Sequence, residues 1–162
     1  MEMRRRGLLT MIATAAAGGL LPAAWSFASA EEREISKTDA EWRSILTPAQ
    51  YDVLRQEATE PPFSSPMLNE HRAGVFVCAG CELPLFRSET KYDSGTGWPS
   101  FWSPIEGTVG TRMDKKLWME RTEVHCRRCG GHLGHVFKDG PPPTGLRYCM
   151  NGLALKFVPK SG

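Results

Sequence analysis

The 162-residue chain has the length of a single domain, and 41% hydrophobic with 23% charged residues is an ordinary globular composition. Its formal charge of +2 comes from the first residues, where Arg4, Arg5 and Arg6 stand against Glu2, so residues 31–162 are balanced. That balance excludes the electrostatic excess of a nucleic-acid binder, the reading that paired cysteines most readily invite.

Met1–Ala30 reads as an export signal. A basic start precedes an apolar run from Leu8 to about Leu21, and Ala28-Ser29-Ala30 offers small residues for cleavage. The run is too short and too rich in Gly and Ala for a membrane span, so no membrane association is expected of the mature chain. Arg5-Arg6-Gly7-Leu8-Leu9 resembles a twin-arginine signal, which exports folded proteins; a general secretory signal and an uncleaved anchor are the alternatives. The expected location is periplasmic or otherwise exported. Outside the cytoplasm paired cysteines tend to become disulfides. Folding before export would let a metal bind them while they are still reduced.

Residues 31–162 are expected to form one domain. After a charged tail, Thr38-Asp39-Ala40-Glu41 and Thr47-Pro48-Ala49-Gln50 are capping-box patterns that predict two short helices, the second ending before Pro61-Pro62. Pro61–Asn69 reads as an irregular strap. From Gly74 onward the chain breaks into short apolar runs, which predict strands at Gly74–Val77, Leu83–Phe86, Phe101–Ile105, Leu117–Val124, Leu133–Phe137 and Leu153–Val158. No helical period and no repeat interrupts them. The fold class is mainly β, with short N-terminal helices.

Four of the five cysteines form two Cys-x-x-Cys pairs, Cys78/Cys81 and Cys126/Cys129. Four sulfurs can close a tetrahedral structural zinc site, which leaves no open position for chemistry. The stretch between the pairs exceeds ribbon spacing, so the whole β domain must bring the knuckles together. Two disulfides or a redox-active pair are the alternatives, although the βαβ setting of a redox pair is absent.

Cys149 is left over. It is either an inert core thiol or the reactive group. If Arg147–Asn151 is extended, Arg147, Cys149 and Asn151 share a face and a cation stands beside the thiol, favouring the thiolate. His132 and His135 can move protons near neutral pH, or serve as metal ligands or core residues. Asp139 and Arg147 can equally be a surface ion pair. In Gly95-Thr96-Gly97-Trp98-Pro99, Trp98 is either a core residue or the wall of a small apolar pocket.

Together the cysteine pairs, Ser94–Phe101 (SGTGWPSF), Arg121–Cys126 (RTEVHC), His132–Phe137 (HLGHVF) and Gly145–Asn151 (GLRYCMN) resemble the methionine sulfoxide reductase B family. The similarity runs from about Leu46 to Val158. It implies an antiparallel β fold with one structural zinc ion on the four paired cysteines. It further implies attack of Cys149 on a sulfoxide sulfur to give methionine and a Cys149 sulfenic acid. By the resemblance His132, His135 and Asn151 hold water and polarise the oxygen, Asp139 and Arg147 set orientation and thiolate character, and Trp98 cradles the methyl group. His135 thereby also contacts substrate. Because i and i+3 do not share a strand face, a bulge at Gly134 is expected to turn both histidines inward. Many members carry a resolving cysteine where this chain has Thr96. The implied enzyme is therefore of one-cysteine type, acting on methionine-R-sulfoxide, free or in oxidised proteins, with an external thiol or thioredoxin-like reductant. The rival reading is a zinc-knuckle binding module without catalysis, which leaves Cys149 and the Trp98 loop unused.

Overall fold

Both capping boxes form. Thr38 accepts the Glu41 N–H while the Glu41 carboxylate accepts the Thr38 N–H at 2.7 Å, and Thr47 and Gln50 repeat the exchange. The helices α1 (Asp39–Ile45) and α2 (Pro48–Gln56) follow, the second stopped by Glu57 in the left-handed region at φ +58°. The computed structural model describes residues 34–115 and 120–161. The segment read as an export signal, Met1–Ala30, and the first residues of the strand expected from Leu117 lie outside the described residues.

The strands are β1 (Gly74–Cys78), β2 (Pro84–Arg87), β3 (Lys91–Tyr92), β4 (Ser100–Phe101), β5 (Val109–Asp114), β6 (Arg121–Cys126), β7 (His132–Phe137), β8 (Arg147–Met150) and β9 (Leu155–Pro159). They make a three-stranded sheet, β2-β1-β9, and a six-stranded sheet, β3-β4-β8-β7-β6-β5. Every pairing among the described residues is antiparallel. The fold is mainly β with two short helices, as expected. Among the described residues no helix is long and apolar enough to cross a membrane.

Four elements differ from the sequence reading, the first being the two-residue β3, which no apolar run marks. The strand expected over Phe101–Ile105 pairs only as Ser100–Phe101, because Pro104 has no N–H to donate to a ladder. β5 was not expected, since its residues are largely exposed and show no apolar alternation. The last strand starts at Leu155 rather than Leu153, because the Gly152 and Leu153 N–H groups bond the Glu60 carboxylate and hold Gly152–Ala154 in a 3-10 turn. A second such turn, Pro66–Asn69, lies within the strap.

Two fasteners join the sheets. Phe101 of the six-stranded sheet stacks on Phe86 at 4.3 Å between ring centroids and meets Phe76 edge-on at 5.0 Å, both from the three-stranded sheet. The second is the cysteine cluster, since β1 ends at Cys78 and β6 ends at Cys126. The helices cover this core with Trp42, Tyr51, Val53 and Leu54, all buried.

Candidate active site and metal centre

At the metal centre, the sulfurs of Cys78, Cys81, Cys126 and Cys129 all lie within 4.8 Å of one another. The Cys78–Cys129 and Cys81–Cys126 sulfur separations are 3.8 and 3.5 Å, far beyond a disulfide bond. A tetrahedron with metal–sulfur bonds of about 2.3 Å has edges of about 3.8 Å, so the donor set fits a four-coordinate ion. Gly130 turns the second knuckle in the left-handed region at φ +68°, and its N–H bonds the Cys126 carbonyl at 2.8 Å.

Cys149 sits in the middle of the six-stranded sheet. Its register partners are Ser100 on one side and His135 on the other, and His135 in turn faces Glu123, which faces Arg112. Directly opposed residues of an antiparallel sheet point to the same face, so this one row carries a thiol, an imidazole, a carboxylate and a guanidinium. The row opens on a cavity of about 110 Å³ whose lining includes Cys149, Trp98, His135, Asn151, Arg121 and Phe137. Gly134 is required where β7 meets β8: a Cβ there would fall 2.1 Å from the Cys149 carbonyl oxygen.

Burial pushes the Cys149 thiol up, while the Thr96 hydroxyl and then Arg147 draw it back down. The cation expected beside the thiol is present and acts in the expected direction, but burial outweighs it. Arg147 is held by a two-pronged pair with Asp139 at 2.9 and 2.8 Å and lies over the Phe137 ring, 4.3 Å from its centroid. The ion pair is therefore anchored to the site on its Arg147 side and open to solvent on its Asp139 side.

His135 Nε2 lies 2.8 Å from the Asp114 carboxylate, which also takes the Arg121 guanidinium at 2.8 Å. A carboxylate only accepts, so the Nε2 of neutral His135 carries the proton and Nδ1 is left as an acceptor. Burial holds His135 below its ordinary range, against the opposing pull of Asp114.

His132 and His135 come side by side, as the expected bulge requires. The bulge exists: Val124 faces Gly134 while His125 faces His132, so Leu133 is the extra residue. Leu133 takes the core position, however, and His132 is not among the residues lining the Cys149 cavity. His132 is 3% exposed, donates from Nδ1 to the Glu123 carboxylate at 2.8 Å, and meets the His135 ring edge-on at 5.5 Å. It borders a separate cavity of about 150 Å³ with Glu57 and Arg112. Burial alone would raise the Glu123 pKa, but bonds from His132 and Arg112 outweigh it and hold the carboxyl below its ordinary range.

Asn151 has two of its amide contacts assigned by their partners. Its Oδ1 accepts the Glu60 N–H at 3.0 Å and its Nδ2 donates to the Leu133 carbonyl at 3.2 Å. One amide hydrogen remains for the cavity.

Residues 46–159 match the family model described as the SelR domain. This chain belongs to the MsrB family. It is 53% identical over 127 residues to the peptide methionine sulfoxide reductase MsrB of Agrobacterium fabrum, covering 78% of this chain and 94% of that protein. The MsrB of Leptospira interrogans is 53% identical over 125 residues, 76% of this chain and 95% of that protein. The MsrB of Methanosarcina mazei is 50% identical over 128 residues, 78% of this chain and 91% of that protein. The Yippee-like domain of Mis18 superposes with a TM-score of 0.46 at 17% identity, covering 56% of this chain and 100% of that chain, and adds nothing to the assignment.

Within this MsrB-family chain, three supporting carboxylates were not singled out by sequence reasoning: Glu60, Asp114 and Glu123. Arg121 and Glu123 stood inside the RTEVHC motif without a role, and Glu60 immediately precedes the strap. Glu60 does the most. It is 4% exposed, its carboxylate takes the Gly152 and Leu153 N–H groups at 2.5 and 2.9 Å, its N–H bonds Asn151, and its carbonyl takes Trp98 Nε1–H at 3.0 Å. It thus ties Trp98 and Asn151 to one point. In Glu60→Gln one of the two backbone N–H groups loses its acceptor, which should cost about 1–3 kcal/mol. Chemical denaturation should show that loss, and turnover should fall with it, because the Glu60 backbone that holds Trp98 and Asn151 loses part of its anchor on Gly152 and Leu153.

Proposed function

We propose that this chain reduces the R epimer of methionine sulfoxide, free or in oxidised proteins, to methionine, with Cys149 as the nucleophile. The observation that carries this reading is the one unpaired cysteine, opening on a cavity walled by Trp98, His135 and Asn151, in a chain of the MsrB family.

The Cys149 sulfur attacks the sulfoxide sulfur and oxygen passes to the cysteine. The substrate S–O bond breaks and a Cys149 S–O bond forms. The substrate is reduced to a thioether, Cys149 is oxidised from thiol to sulfenic acid, and the thiol proton ends on the transferred oxygen. That oxygen needs a proton or hydrogen bonds as it moves. The free amide hydrogen of Asn151 supplies one. His135 takes the thiol proton at Nδ1, becomes an imidazolium steadied by Asp114, and returns it to the oxygen. His132 acts behind this pair through Glu123. Trp98 receives the methyl group, and an apolar ring and polar groups at fixed places in one cavity distinguish the epimers.

The remaining four cysteines are committed to a metal centre, which we assign to one structural zinc ion: an all-thiolate tetrahedral set is the preference of zinc. Thr96 stands 3.9 Å from Cys149 where a resolving thiol would be needed. The sulfenic acid is therefore reduced by an external thiol or thioredoxin-like protein, which forms a mixed disulfide and releases water; a second thiol then frees Cys149. The Arg5-Arg6 leader supports export of the folded, metal-loaded chain by the twin-arginine route.

The test is turnover of methionine-R-sulfoxide and, separately, the S epimer with dithiothreitol as reductant. Reduction of the R epimer alone is expected. Reduction of the S epimer, or of neither by metal-loaded protein with Cys149 reduced, would overturn the reading.

A further inference from the structure

Behind the Cys149 sulfur lies an unbroken line of hydroxyls. Thr96 Oγ1 is 3.9 Å from Cys149 Sγ, Ser94 Oγ is 2.8 Å from Thr96 Oγ1, and Ser94 Oγ is 2.7 Å from Ser100 Oγ. Ser100 Oγ in turn reaches the Trp98 carbonyl at 3.1 Å. Ser100 is fully buried and is the cross-strand partner of Cys149, so the line begins and ends against the same pair of strands.

Counting protons shows how the line behaves. It has four links and, when Cys149 is a thiol, four hydrogens: one on sulfur and one on each hydroxyl. The Trp98 carbonyl only accepts, so the direction is set: Cys149 donates to Thr96, Thr96 to Ser94, Ser94 to Ser100, and Ser100 to Trp98. When Cys149 is a thiolate three hydrogens remain and the sulfur only accepts. The chain then reverses, Ser100 donating to Ser94, Ser94 to Thr96 and Thr96 to sulfur, and the Trp98 carbonyl loses its donor. Both arrangements keep every hydroxyl donating once, and each link polarises the next.

We propose that Thr96, Ser94 and Ser100 form a reversible hydroxyl chain that stabilises the Cys149 thiolate, with Ser94 a positioning residue that acts on the nucleophile without touching it. The proton itself leaves by the cavity; the chain supplies oriented dipoles and no base. It deepens the reductase reading, on which it rests for its catalytic meaning. The charged and titratable groups facing Cys149 are Arg147 on its own strand with Asp139 behind it, His135 from β7, Arg121 at the cavity wall, and Tyr92 from β3. None of them belongs to the hydroxyl line, so the two influences separate by mutation. The Thr96 hydroxyl is the largest influence that lowers the Cys149 pKa, ahead of Arg147.

The experiment is the pH dependence of Cys149 alkylation by iodoacetamide in the full, metal-loaded chain, compared with Ser94→Ala, Thr96→Val and Thr96→Ser. A hydrogen bond to a charged sulfur corresponds to about one pH unit, so Thr96→Val should move the midpoint up by about that amount. Thr96→Ser, which keeps the hydroxyl, should restore it. Ser94→Ala should also move it up, by roughly half as much, because Thr96 then loses the neighbour that polarises it. A midpoint unmoved in Ser94→Ala while Thr96→Val shifts would reduce the chain to one local contact and overturn the proposal, as would no shift in either. Alkylation needs no sulfoxide. A chain that reduces neither epimer yet shows these shifts would lose the reductase reading and keep the hydroxyl chain.

Discussion

Cys149→Ser is expected to lower sulfoxide turnover by at least about three orders of magnitude while leaving the fold and the metal centre intact. The cause is chemical. A serine hydroxyl is a far weaker nucleophile toward sulfur than a thiolate, and oxygen transfer to it would require a peroxide-like bond instead of a sulfenic acid. The position is half-buried at the edge of a cavity, and the exchange changes little volume, so thermal stability should move by less than about 1 kcal/mol. The measurement is turnover with dithiothreitol, paired with a melting curve. Substantial residual activity in a folded variant would remove Cys149 from the chemistry. A second readout follows from Thr96: one equivalent of sulfoxide should convert the wild-type protein to a form with one sulfenic acid and no internal disulfide.

Removal of the metal should have the largest effect on stability. Four sulfurs lie within 4.8 Å of one another at the ends of β1 and β6, strands of different sheets. Without an ion they are a crowded set of thiols that hold nothing together; with one they are a covalent-strength clamp between the sheets. Structural zinc contributes roughly 10–16 kcal/mol of apparent binding free energy in small domains, and binding of this kind is coupled to folding. Chelation, or Cys126→Ala, is therefore expected to lower the melting temperature by more than about 10 °C or to abolish cooperative unfolding. Thiol titration gives an independent count. The native protein should show one readily reactive thiol, Cys149, and all five only after chelation and denaturation. One equivalent of zinc should be released. A chelated protein that melts like the loaded one would show that the Phe76, Phe86 and Phe101 cluster alone holds the sheets together.

These effects fall on residues of unequal legibility. Cys149 stands out in the sequence because four cysteines pair by spacing and it does not. The two capping boxes are readable because a capping box is a contact over three residues, satisfied within the segment that shows it. The fold class is readable because strand length and turn residues are local too. β5 is not, because an exposed edge strand has no apolar alternation to display.

The supporting carboxylates lie at the other extreme. Glu60 meets Asn151 across 91 residues of chain, Asp114 meets His135 across 21, and nothing in their own neighbourhoods distinguishes them from solvent-facing acids. His132 lies between these cases. Its spacing from His135 was legible, as was the need for a bulge. Which residue the bulge would turn outward depends on what fills the core beneath it, and Leu133 fills it.

The sequence by itself determined the chemical groups on offer: a lone thiol, two Cys-x-x-Cys pairs able to hold a metal, two imidazoles, and a tryptophan on a glycine-flanked loop. It did so because reactivity belongs to residue type and metal spacing is short-range. Only the tertiary structure decided which of these groups meet. Sheet register places Ser100, Cys149, His135, Glu123 and Arg112 in one row, the strap brings Glu60 under Trp98 and Asn151, and close packing at Gly134 brings β7 against the Cys149 carbonyl. Register is set by how all the strands pack at once, so it is a property of the folded sheet and not of any segment.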